Sequence, residues 1–173
     1  MVSLKGDFTE ENKAMVYIVM GVSGSGKTTI GQLLAQRLGV PFYDADDFHS
    51  AANVSKMQHG APLTDEDRED WLQILAKEIE KWNSDGGAVL ACSALKEKYR
   101  RVLCSQAPRN IEWIFLKGEK DVIKERLLDR KGHFMNAGLL DSQFQILEEP
   151  AYGIVISIEY SPEAAVELIL QQR

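Results

Sequence analysis

The sequence is poor in the residues that staple or anchor a chain. It has two cysteines, Cys92 and Cys104, too few for a disulfide framework, and neither stands at metal-ligand spacing from His49, His59 or His133. No apolar run approaches the roughly 18 residues of a membrane span, and residues 1–14 carry Asp7, Glu10 and Glu11 where a signal peptide has its apolar core. A cytoplasmic setting with no membrane partner is the expectation. Basic charge is also in deficit. Against 26 Asp+Glu stand 20 Lys+Arg, a net of −6, so the field of the whole molecule repels polyanions and argues against nucleic acid as a partner. No internal repeat, low-complexity tract or Pro/Ser-rich linker divides the 173 residues. They suit one domain over 15–173, preceded by a loose tail over 1–14.

What is present is an alternation of buried-type strands and amphipathic helices. Met15 to Met20 is apolar and closed by Gly21, a strand pattern; Ile30, Leu33, Leu34 and Leu38 then recur at helical spacing before Gly39. Val40 to Tyr43 reads as a second strand running into Asp44-Ala45-Asp46-Asp47. Thr64 is a candidate N-cap for a helix of about five turns marked by Trp71, Leu75, Ile79 and Trp82, read as core. Strands over 88–92, 111–116 and 153–158 follow, with helices over 95–105, 119–129, 139–147 and 162–171. Such alternation predicts a mostly parallel five-stranded sheet with helices on both faces, an α/β/α architecture. The stretches 46–64 and 130–138 have no place in it and read as functional loops.

Gly21-Val22-Ser23-Gly24-Ser25-Gly26-Lys27-Thr28 matches G-x-x-x-x-G-K-[ST] between a predicted strand and a predicted helix. Glycines let backbone N–H groups turn inward onto phosphate oxygens, and the helix adds its positive end. Lys27 brings a point charge to the β- and γ-phosphates, and the Thr28 hydroxyl suits Mg²⁺. The nucleotide-binding set is therefore residues 21–28 with Thr29, and the expected cofactors are ATP and Mg²⁺. The third strand ends in Cys92-Ser93-Ala94 without an acid. Asp44, at the end of the second, is the better candidate for a second metal-side group; the plainer alternative is that it caps the following turn.

Three further segments carry information: Asn53-x-x-Lys56-Met57 through Gly60, Pro62-Leu63, Asp65, Asp67-Arg68 and Trp71-Leu72; Cys92-Ser93-Ala94-Leu95-Lys96 with Tyr99-Arg100; and Arg126-Leu127, Arg130-Lys131-Gly132-His133-Phe134, Ser142-Gln143-Phe144 and Leu147-Glu148. Together with the cradle they resemble the bacterial-type gluconate kinases, P-loop kinases related in shape to shikimate and nucleoside monophosphate kinases. The resemblance runs from about residue 16 to residue 150. It implies a P-loop kinase fold, transfer of the γ-phosphoryl group of ATP to the 6-hydroxyl of D-gluconate, and a homodimer. The short link 149–153 departs from the family pattern and leaves the adenine side near Tyr160-Ser161-Pro162 undefined.

Within that reading Asp46 is the candidate to orient the attacking hydroxyl or take its proton. Lys56, Arg68, Lys96 and Arg100 are candidates for the substrate carboxylate, unranked among themselves. Arg68 also has a plainer reading as an intrahelical partner of Asp65 or of the neighbours of Glu69. His49 is a candidate hydroxyl partner. Arg126 and Arg130, four apart, share a face if helical; similarity to related kinases puts Arg126 on adenine and Arg130, with Lys131, on the transferring phosphoryl. Gly132 would hinge a lid over 130–138. Shikimate kinase is the nearest rival, but that family has its glycine-rich loop after the third strand, whereas Gly86-Gly87 precede it here. A nucleoside monophosphate kinase and a non-catalytic nucleotide-binding regulator are the remaining alternatives. The charge is unevenly spread: residues 44–71 hold eight acids and two bases, the whole excess of −6, and the remainder balances at 18 against 18.

Overall fold

The computed structural model describes residues 14–130 and 137–173. Five strands, β1 (Val16–Met20), β2 (Phe42–Asp44), β3 (Ala88–Ala91), β4 (Ile111–Lys117) and β5 (Ile154–Ser157), form one parallel sheet in the order β2-β3-β1-β4-β5. β1 lies at its centre, Val19 registering with Ala91 of β3 on one side and Ile114 of β4 on the other. The strand order reverses on either side of β1, so the crevice beyond its carboxyl end is where an open parallel sheet takes a ligand.

Period-two alternation sends the strand side chains into two cores. Val19, Val89 and Ile114 pack with Ile30 and Leu34 of α1 (Lys27–Leu38) and Val166 and Ile169 of α7 (Pro162–Gln172). That layer also takes Ile123 and Leu127 of α5 (Lys120–Leu128) and Leu140 of α6 (Ala137–Ile146). Ile18, Met20 and Leu90 face the other way, onto Trp71, Leu75 and Ile79 of α3 (Asp65–Ser84) and Leu103 of α4 (Glu97–Leu103). The expected three-layer α/β/α arrangement is therefore the observed one. Each fully buried aliphatic side chain in these layers contributes about 1.5–3 kcal/mol. No helix among the described residues is long and apolar enough to cross a membrane.

α3 starts where the sequence places it, in a reciprocal capping box. Thr64 Oγ1 accepts from Asp67 N–H at 3.1 Å, and Asp67 Oδ2 accepts from Thr64 N–H at 2.9 Å. Residues 46–64 are not the loop expected. A 3₁₀ turn (Ala45–Phe48), N-capped by Asp44, leads to α2 (Ala51–Gln58), N-capped by Ser50. Only Asn53 and Met57 of α2 are buried, so its eight residues carry too little periodicity to announce a helix. β2 also starts later than expected. Val40 N–H still donates back to Ala35 O, and Pro41 has no N–H to give the ladder. Other boundaries differ by one or two residues. Residues 1–13 of the expected tail and 131–136 of the expected lid, with Lys131, Gly132, His133 and Phe134, lie outside the described residues.

Candidate active site

The cradle leaves β1 at Gly21. Gly24, at φ +80°, packs so closely under α5 that a Cβ would stand 2.8 Å from Leu127 Cγ. Gly26, at φ +95°, sets the first turn of α1 and has no side chain, so no N-cap oxygen competes for the leading N–H groups of that helix. Lys27 Nζ donates to Val22 O at 2.9 Å, folding the lysine back over its own loop. Desolvation lowers the Lys27 pKa, and the charges of Asp46 and Asp44 oppose that shift. Ser23 N–H is taken by Gln143 Oε1 at 2.7 Å, which brings α6 onto the loop across 120 positions of sequence. Ser25 Oγ is buried inside the loop with no hydrogen-bond partner among the described residues.

Beside the cradle, Thr28 Oγ1 donates to Asp44 Oδ2 at 3.1 Å, and Asp44 Oδ1 accepts from Asp46 N–H at 3.0 Å. Asp44 therefore caps the 3₁₀ turn with one oxygen, the plainer of its two readings, while the other oxygen meets the cradle threonine. A hydroxyl and a carboxylate oxygen at this contact form a hard-oxygen pair of the kind Mg²⁺ prefers. Asp46 stands at the mouth of the same cleft. Desolvation between the cleft walls, and then the charge of Asp44, raises its pKa, while Lys27 pulls the other way.

The acceptor side is built on Trp71. Its Nε1 donates to Ala45 O at 2.7 Å, tying α3 to the 3₁₀ turn, and the His49 ring stacks on it at 4.2 Å. Trp71 is 3% exposed and so belongs to the core as expected, yet it also lines the cleft, a role its helical spacing did not signal. Burial, and then the charge of Arg68, lowers the His49 pKa to about 4, so the ring is neutral. Its Nδ1 faces Asn53 Nδ2 at 3.5 Å. An amide nitrogen can only donate there, which leaves the His49 proton on Nε2, the nitrogen nearer Asp46.

The four candidate carboxylate binders separate. Lys56 pairs with Asp67 at 2.6 Å and Lys96 with Asp65 at 3.1 Å, and neither lines the cleft. Arg100 is 2% exposed and occupied by Ala94 O, Glu148 O, Tyr152 Oη and Glu97. It buttresses the bend after β3, where Ala94 holds a left-handed φ of +44°, and is unavailable to a ligand. Arg68 alone of the four lines the cleft, and no carboxylate pairs with it among the described residues. Its Nη1 donates to Leu63 O at 2.6 Å and to Tyr99 Oη at 3.3 Å, so the intrahelical pair with Asp65 does not form.

The expected common face of Arg126 and Arg130 is also absent, because α5 ends at Leu128. Arg130 lines the cleft, whereas Arg126 Nη2 reaches Ile158 O just beyond β5 at 2.7 Å. Thr29 is exposed and outside the cleft lining. Ser93, Leu139, Ser142 and Gln143 line the cleft without any role read from the sequence. Ser93, Ser142 and Gln143 belong to the segments that carry the family resemblance, and that was the signal available for them.

The shikimate kinase family model matches residues 23–169. The chain is 43% identical over 158 residues to a probable gluconokinase of Dictyostelium discoideum, covering 88% of this chain and 79% of that one. It is 40% identical over 184 residues to a gluconokinase of Arabidopsis thaliana, covering 98% and 95% respectively. A solved gluconokinase from Sinorhizobium meliloti 1021 aligns with a TM-score of 0.83 at 36% identity, over 92% of this chain and 90% of that one.

Proposed function

The chain belongs to the shikimate kinase family and, within it, to the gluconokinases, and on that premise we propose that it transfers the γ-phosphoryl group of ATP to the 6-hydroxyl of D-gluconate. The observation that carries this reading is one cleft in which the Lys27 cradle, the Asp44 and Asp46 carboxylates and the Arg68 guanidinium, unpaired with any described carboxylate, all line the same space.

The cradle N–H groups and Lys27 hold the ATP phosphates, and Arg126 borders the adenine side. Thr28 and Asp44 would hold Mg²⁺, which would supply neutralisation of phosphate charge. Asp46, its pKa raised, takes the proton of the 6-hydroxyl as that oxygen bonds to the γ-phosphorus and the bond from phosphorus to the β–γ bridging oxygen breaks. The products are 6-phosphogluconate and ADP. Arg130 offsets charge on the transferring group. Neutral His49 presents an N–H to a substrate hydroxyl, and Arg68 meets the substrate carboxylate. The acids at the cleft mouth disfavour an acceptor that already bears a phosphate. The enzyme works in the cytoplasm, as a homodimer.

ADP release measured with gluconate, shikimate, glycerate and nucleoside monophosphates as acceptors tests the proposal. Mg²⁺-dependent release stimulated by gluconate is expected. Turnover with shikimate and none with gluconate overturns it.

A further inference from the structure

We propose that Tyr99 is a positioning residue for substrate recognition, its hydroxyl fixing the Arg68 guanidinium so that the Nε–Nη2 edge is left to grip the substrate carboxylate. The inference rests on the assignment of Arg68 made above and adds a residue that never touches the substrate.

Tyr99 lies on α4, 3% exposed, with its hydroxyl against Asp65 Oδ1 at the start of α3. A phenol has one proton. Because that proton goes to Asp65, the oxygen is left to accept, and the donor it faces is Arg68 Nη1 at 3.3 Å. The other Nη1 hydrogen goes to Leu63 O at 2.6 Å. Both hydrogens of Nη1 are spent on acceptors built into the fold, and the pair of parallel donors on the opposite edge is the one that matches a carboxylate. The Tyr99 ring adds a platform, with Arg68 Cζ 5.3 Å and Lys96 Nζ 5.6 Å from its centroid.

The charge of Asp65 is used elsewhere. Lys96 and Lys98 both bond its carboxylate, so it orients the tyrosine without neutralising Arg68. Burial and then the Asp65 hydrogen bond push the Tyr99 hydroxyl up to about 12, which keeps the relay in one direction at any working pH. A direct ion pair would hold Arg68 equally well but would leave a competitor in place of the substrate. A neutral hydroxyl holds the cation and leaves its charge for the ligand.

Steady-state kinetics with gluconate at saturating ATP, on the wild type, Tyr99→Phe, Arg68→Met and the double variant, test the proposal. Losing one such bond corresponds to a rise of about fivefold in KM for gluconate in Tyr99→Phe, with kcat altered less than about twofold and KM for ATP unchanged. Arg68→Met, which loses bonds to a charged group, raises KM for gluconate by about 10- to 100-fold, and adding Tyr99→Phe to it has no further effect. Should the phenylalanine variant unfold, Asp65→Asn, which keeps the ring, shifts KM for gluconate in the same direction. An unchanged KM in Tyr99→Phe, beside a strong effect of Arg68→Met, overturns the proposal alone. So does a Tyr99→Phe effect that persists in the Arg68→Met background. An unchanged KM in Arg68→Met removes the assignment of Arg68 to the carboxylate, and the role of Tyr99 with it.

Discussion

Acidification destabilises this protein through His49. The ring is held neutral against Trp71 with its side chain 4% exposed, and its pKa falls from the ordinary 6.5 to about 4. An imidazole whose pKa is lower in the folded chain takes up a proton first in the unfolded chain, so stability falls as pH drops below 6.5 and the loss is complete near 4. A gap of about 2.5 pH units at about 1.4 kcal/mol each sets a ceiling near 3.4 kcal/mol. Solvent in the cleft and the attraction between a protonated ring and the Trp71 face reduce this to about 1–2 kcal/mol. Asp46, with its pKa raised, acts in the opposite sense and is common to both chains in the comparison. Asp65 and Asp67 titrate below the ordinary 3.8, outside the window. Urea unfolding of the wild type and His49→Gln at about pH 7 and about pH 4.5 measures the difference. The wild type should lose about 1–2 kcal/mol more than the variant over that interval. An identical pH dependence, or a His49 ring that titrates near 6.5 by NMR, refutes the reasoning.

Asp46→Asn should lower kcat with gluconate by about 10²- to 10⁴-fold, as expected for removal of a general base, while ATP affinity by calorimetry stays within about threefold; a matching loss of ATP affinity would place Asp46 at the nucleotide. Asp44→Asn should raise the Mg²⁺ concentration for half-maximal turnover by about 10- to 100-fold, and an unaltered Mg²⁺ titration would return Asp44 to a purely capping role. Thr64→Ala breaks the capping box and should cost about 1 kcal/mol, or about 2–4 °C in Tm. A calorimetric scan that superposes on the wild type would show that the box contributes nothing.

Where the sequence speaks locally, it was legible. The β-branched run Val16–Met20 and the glycine spacing after it located both the central strand and the cradle, because those preferences act within a few residues. α3 was readable at its start, since a capping box is a pattern of neighbours. What escaped was decided at a distance. Arg68, Lys56, Lys96 and Arg100 are equivalent as residue types; only the packing of α2, α3 and α4 gives Lys56 to Asp67, Lys96 to Asp65 and Arg100 to backbone carbonyls. Gln143 was marked only as part of a segment carrying the family resemblance, and its contact was not legible, since Ser23 lies across the cleft in another element. α2 was missed because its half-buried face is too short to show a period.

The cradle has a further consequence, thermodynamic in kind. Its Lys27 ammonium and its Ser23 amide already hold protein oxygens, those of Val22 and Gln143. A phosphate that reaches these two groups therefore swaps one acceptor for another. Each such exchange returns only the difference between two good hydrogen bonds, about 1 kcal/mol or less. Nucleotide affinity should thus grow more slowly than a count of cradle contacts suggests.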